Sequence, residues 1–121
     1  MEQQENIAIA QKWFMAFNEH DLEKLLRLYD ENARHYSPKL KLREPHTKGL
    51  VQGKEQLRKW WKDAFDRLPT LHYDVSTLTA DTDRVFMEYT RKVNGEEDLF
   101  VAEVLEINAN GLISASRVYH G

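Results

Sequence analysis

Two side chains near the C-terminal end have the types and spacing for proton transfer. Glu103 lies in an apolar run from Asp98 to Ile107, and His120 in a second run from Leu112 to His120. Asn110-Gly111 separates the runs, and Asn-Gly between apolar runs is the strongest short-range hairpin signal. A type I′ turn with Asn110 and Gly111 at its centre puts Ala109 opposite Leu112, so opposed positions sum to 221. Val101 then faces His120, and Glu103 faces Val118. Opposed residues share a face, as do alternate residues along a strand. One face therefore carries Leu99, Val101, Glu103, Leu105 and Ile107 with Leu112, Ser114, Ser116, Val118 and His120. It is apolar apart from Glu103, two serines and His120, which is how a small-molecule pocket is lined. Glu103 and His120 become diagonal neighbours at about 7–8 Å between backbone positions. A carboxylate beside an imidazole orients the ring and raises its proton affinity, giving an acid–base pair. The plainer alternatives stay open: Glu103 as a rim residue in a salt bridge, and His120 as a fraying terminal residue.

Other side chains could join that pocket. Tyr89 lies mid-strand with a hydroxyl to offer. Trp60 and Trp61 suit the core side of a helix, where one of them could also wall the pocket. In the brief strand from Ala33 to Ser37, alternation sends either His35 or Tyr36 inward, and the sequence does not choose. His20, His46 and His72 read as connection, loop and surface residues. Five histidines without HxH or HExxH spacing, in a chain lacking cysteine, give no metal-ligand pattern, and no cofactor is expected. Lys39, Lys41, Arg43 and Lys48 read as a solvated basic loop with some pull on anions.

The elements that position these groups follow from periodicity. Ile7, Ala10, Trp13, Phe14 and Phe17 recur at helical spacing. Asp21 then N-caps a short helix through Leu22, Leu25, Leu26, Leu28 and Tyr29 that ends near Asp30-Glu31-Asn32. Lys39 to Gly53 reads as a long loop of the kind that often serves function. Leu57, Trp60, Trp61, Ala64, Phe65 and Leu68 form the clearest helical stripe. Strands follow at Leu71–Ala80, Arg84–Val93, Asp98–Ile107 and Leu112–His120, the last three as an antiparallel meander. Helices first and a meander second is an α+β pattern.

Length and charge bound the function. At 121 residues and 41% hydrophobic, residues 1–121 make one domain with its own core. A net charge of -3 gives no electrostatic reason for a nucleic-acid or anionic-membrane partner. No apolar stretch approaches the roughly 20 residues of a membrane span. The polar start Met1-Glu2-Gln3-Gln4 is unlike a secretory signal, so the expected location is the cytoplasm.

The order of elements resembles the nuclear-transport-factor-like superfamily, which includes SnoaL-like polyketide cyclases and ketosteroid isomerases. Its marks are His20-Asp21-Leu22-Glu23 leading to Leu28-Tyr29, Asn32-Ala33, Pro38, Gly53 opening the long helix, and Asn110-Gly111-Leu112-Ile113. The resemblance implies a cystatin-like cone, three N-terminal helices packed on a curved, mostly antiparallel sheet. It also implies a conical cavity and homodimers formed through the convex face, here Phe100, Val104, Ile113 and Tyr119. Ketosteroid isomerases use an Asp base with a Tyr and a protonated Asp as oxyanion donors. In register, the base falls on Ser37, the tyrosine on Trp13 and the acid on Glu103. One role of three keeps its chemistry, and the Asp-Arg-Asp group of the related epoxide hydrolases cannot be assembled. The expectation is a pocket for a small organic ligand, lined by Trp13, His35, Ser37, Trp61, Tyr89 and Val118, with Glu103 and His120 as acid–base groups. Isomerisation, cyclisation or dehydration would fit; a non-catalytic binder or a dimeric interaction module is the alternative.

Overall fold

The computed structural model describes residues 2–120. In chain order its elements are helix α1 (Gln3–Asn18), helix α2 (Leu22–Arg27), strand β1 (Tyr29–Tyr36), helix α3 (Pro38–Arg43), strand β2 (Leu50–Gln52), helix α4 (Gly53–Arg67) and strands β3 (His72–Ala80), β4 (Arg84–Lys92), β5 (Leu99–Ile107) and β6 (Ile113–His120). The strands form one curved sheet in the order β2-β1-β6-β5-β4-β3. All neighbours are antiparallel except β1 beside β6. The α+β class is as expected.

The helices cover one face of the sheet. α1 buries Ile9, Ala10, Trp13, Phe14 and Phe17, while Asn6 takes the inner position expected of Ile7. A buried amide needs a partner, and Asn6 Nδ2 donates to the Asp81 carbonyl at 2.8 Å. At the other end Asn18 clamps β3 by bonding both the Tyr73 N–H, at 2.8 Å, and its carbonyl, at 2.9 Å. Asp21 caps α2 as its chemistry requires, accepting from the Lys24 N–H at 3.1 Å.

Two boundaries differ from expectation. α2 stops at Arg27 because Tyr29 already belongs to a strand, pairing with Ile113 of β6. The segment read as a loop is folded as well. Pro38 presets the first turn of α3, Leu40 anchors it in the core, and β2 returns alongside β1. Gly49 permits that return. Its φ is +82°, its carbonyl accepts from the Ser37 N–H at 2.9 Å, and a Cβ there would sit 2.9 Å from the Ser37 carbonyl oxygen.

The last hairpin reaches the expected register by another route. A type I′ turn needs positive φ at both central residues. Here Gly111 has φ +76°, whereas Asn110 is not among the positive-φ residues. The turn starts at Asn108 instead, whose N–H donates to the Leu112 carbonyl at 2.9 Å and whose Oδ1 accepts from the Asn110 and Leu112 N–H groups. This is a three-residue loop closed by a left-handed glycine. It sets Ile107 opposite Ile113, one residue off the expected register, and an irregularity around Ser114 restores it. From Glu106 opposite Ala115 to Val101 opposite His120 the pairing is the one derived from sequence. Ile113, not Leu112 or Ser114, therefore faces the core and is fully buried. That removes it from the convex face proposed for dimerisation.

Candidate functional site

Pairing across the sheet stacks the concave side chains in rows. Leu105, Ser116 and His35 share the innermost row, with Val85. Met87, Glu103 and Val118 form the next; Tyr89, Val101 and His120 follow; Arg91 and Leu99 lie outermost. Above the rows stand Trp13 and Phe17 of α1 and Trp60, Trp61 and Ala64 of α4, leaving a cavity of ≈ 230 Å³. Trp13, His35, Ser37, Trp61, Tyr89, Glu103, Val118 and His120 all border it. Drug-sized sites span roughly 300–1,000 Å³, so this space suits a smaller compound.

β1 settles the alternation left open by sequence. His35 is buried, 5.4 Å from the Trp61 ring, while Tyr36 is only half-buried. Its partners form a chain: Trp13 Nε1 donates to the Tyr29 hydroxyl at 3.0 Å, Tyr29 meets Ser116 Oγ at 3.1 Å, and Ser116 Oγ meets His35 Nδ1 at 2.7 Å. Bond accounting gives each proton a place. An indole nitrogen only donates, so the acceptor within reach of the Tyr29 proton is Ser116 Oγ. Among the described residues the acceptor left for the Ser116 proton is His35 Nδ1, and the ring is assigned on that basis. His35 is left with its proton on Nε2, and burial lowers its pKa to about 4. It is a neutral imidazole with one free N–H donor on the cavity wall.

Glu103 has a different partner from the one expected. Tyr89 donates its hydroxyl to Glu103 Oε1 at 2.7 Å. The other oxygen, Oε2, is buried without a partner. Burial raises the Glu103 pKa to about 8, against the opposing pull of the Tyr89 hydrogen bond. The carboxyl is therefore mostly protonated at neutral pH. His120 makes no hydrogen bond or ion pair with Glu103 among the described residues; it sits exposed at the rim. The face assignment thus holds while the direct pair does not. Burial, with Lys39 and Arg91 nearby, holds the His120 pKa below its usual value.

Ser37 is buried at the wall, and no carboxylate occupies the place where the resemblance puts a base. Trp13, in the tyrosine's place, spends its N–H on Tyr29. Among the described residues no three His, Asp or Glu side chains cluster as metal ligands, and no helix is long and apolar enough to cross a membrane.

A SnoaL-like domain model matches residues 10–116. This chain belongs to the SnoaL-like family. A comparison with curated proteins finds no match. Among solved structures, the domain is similar to a SnoaL-like protein of unknown function from Burkholderia thailandensis E264, with 24% identity, TM-score 0.88, and coverage of 98% of this chain and 96% of the other. A protein with a cystatin-like fold from Methylobium petroleophilum PM1 shares 24% identity at TM-score 0.81, covering 100% and 78% of the two chains. The epoxide hydrolase/cyclase-like enzyme SalBIII, which has a role in pyran ring formation in the polyether salinomycin, shares 18% identity at TM-score 0.80, covering 98% and 92%. At these identities the likeness establishes the fold and not a shared reaction.

Several residues of this SnoaL-like domain escaped sequence reasoning. Tyr29 continues a helical stripe in the sequence pattern, which hides its link between Trp13 and Ser116. Tyr73 stacks on Tyr89 at 4.2 Å and on Phe17 at 4.0 Å, at the wall of the cavity. Arg91 carried a usable signal, because an inward Tyr89 implies an inward residue two positions on.

Proposed function

We propose that this SnoaL-like domain binds a small, mostly apolar molecule carrying a carbonyl or hydroxyl oxygen, and that Glu103 moves a proton at that oxygen. The observation carrying the proposal is the buried Glu103 Oε2, which has no partner at the wall of an otherwise aromatic and aliphatic cavity. An unpaired buried polar atom costs about 1–3 kcal/mol, which a ligand oxygen would recover. Protonated Glu103 acts as the acid. Neutral His35 supplies a second donor through Nε2, polarising the oxygen without carrying charge. His120 acts as the base at the rim, kept unprotonated at neutral pH by its lowered pKa. Environments that separate an acid from a base in this way are what isomerisation, cyclisation or dehydration requires. Mass spectrometry of ligand extracted from purified protein should find such a compound. Thermal-shift screening should show stabilisation by small aryl ketones, and not by hydrocarbons of the same shape. Equal shifts from both would count against an oxygen-directed site.

We also propose a homodimer through the convex face. Phe86, Phe100 and Tyr119 are exposed there at 40%, 76% and 53%. An apolar patch of this kind marks an interface. Sedimentation should show a dimer that Phe100→Glu converts to monomer; a monomeric wild-type protein at high concentration would refute this.

A further inference from the structure

We infer that the cavity mouth is a carboxylate subsite, so that the ligand is a small organic acid held by Lys39 and Arg91 with its carbonyl or hydroxyl end at Glu103. The inference rests on the role just proposed for Glu103 and adds a substrate class to it.

Cations from separate elements converge on this end of the cavity. Arg91, in the outermost row of the sheet, has a side chain only 9% exposed. It uses Nη1 to hold Glu96 at 2.8 Å, one contact from a group with five N–H donors. Glu96 itself is 46% exposed, so water shares its charge. Lys39 enters from the first turn of α3 and borders the same space. Among the described residues it forms no ion pair. Arg43 and Arg67 also border the cavity, and both lean on a single acid, Asp63, at 3.8 Å and 2.8 Å. Glu96 and the buried Glu103 are the acids bordering the cavity among the described residues. Burial and then Arg91 lower the Lys39 pKa against the opposing pull of Glu96, and burial, Lys39 and Arg91 lower that of His120.

A mouth that holds cations with too few acids favours an anion, and a planar guanidinium favours a carboxylate that it can grip with two N–H groups. The spacing limits the size of the acid. Arg91 pairs with Leu99, four positions before Glu103 on β5. That is about 13 Å along the strand at roughly 3.3 Å per residue. Both side chains border the space between, which leaves the length of a compound about one ring long.

The test is calorimetric titration with 4-acetylbenzoate and with 4-methylacetophenone, which has a methyl group where the first has its carboxylate. The acid should bind about tenfold tighter or more at low salt, and the gap should narrow as salt rises. Lys39→Gln should weaken binding of the acid severalfold, with the neutral ketone as the control for an intact cavity. Equal affinities, no binding by either compound, or a gap that Lys39→Gln leaves unchanged would overturn the inference. A third probe, 4-isopropylbenzoate, keeps the acid and lacks the carbonyl. If it binds as well as 4-acetylbenzoate, the carboxylate subsite stands and the role of Glu103 falls.

Discussion

Glu103→Gln should abolish turnover, lowering kcat by roughly 10²–10⁴-fold, the range general acid catalysis contributes. It should do so with little change in the fold at neutral pH. Gln keeps an acceptor for the Tyr89 hydroxyl, and its amide fills the place of a carboxyl that is already mostly protonated. The rate itself should follow a bell-shaped pH profile. Activity falls as Glu103 loses its proton above about 8 and as His120 gains one below its ordinary range. If wild type shows no turnover with any bound carbonyl compound while Gln leaves affinity intact, the domain is a binder and not an enzyme.

The same substitution should change how stability depends on pH. The folded state raises the Glu103 pKa from 4.5 to about 8, so its contribution is fully present below 4.5 and is lost as pH rises towards 8. For His35 the pKa falls from 6.5 to about 4, so its contribution is present above 6.5 and is lost as pH falls. Between 4.5 and 6.5 the two slopes oppose one another. Above 6.5 that of Glu103 remains alone, costing about 2 kcal/mol by pH 8 at 1.36 kcal/mol per pH unit. Urea unfolding at both ends of that window should show this loss in wild type and a flat line in Glu103→Gln.

Much of this site was legible because sheet faces repeat every two residues, whereas the hydrogen bonds within it were not. The derived register placed Glu103 and His120 on the cavity face although the turn was wrong. An early shift of one residue at Asn108 and a second irregularity at Ser114 cancel. Nothing in Asn110-Gly111 alone reveals that Asn108 will fold its side chain back onto the loop. The pairing of Glu103 with His120 failed for a related reason. Tyr89 and His120 flank Val101 on opposite sides, so both are diagonal to Glu103. The buried phenol takes Oε1 in a low-dielectric setting where a hydrogen bond is strong, and the imidazole stays with water at the rim. Choosing His35 over Tyr36 required knowing that β1 runs parallel to β6, a long-range pairing that local pattern does not encode. The pattern around Lys39 has the composition of a solvated loop; as the start of α3, Lys39 borders the cavity instead.

Trp13→Ala should be the most damaging single change to the fold, costing about 3–5 kcal/mol as large-to-small core substitutions of this kind do. Trp13 is 1% exposed. Its ring stacks on Phe17 at 5.1 Å and on Tyr73 at 6.0 Å, and meets Phe14 edge-on at 5.1 Å. Removing it opens a void where α1 meets β3 and β4. Against a typical domain stability of about 5–15 kcal/mol, that leaves a margin of a few kcal/mol or none. Trp13→Phe separates packing from bonding. It keeps most of the ring and deletes the Nε1–H bond to Tyr29, which should cost about 1 kcal/mol. Tyr29 would still donate to Ser116, and Ser116 to His35, so the proton on Nε2 of His35 should stay in place. Nitrogen chemical shifts of His35 should therefore match between wild type and Trp13→Phe. A change of tautomer in that variant would show that the Trp13 N–H, and not bond accounting at Tyr29, orients the chain.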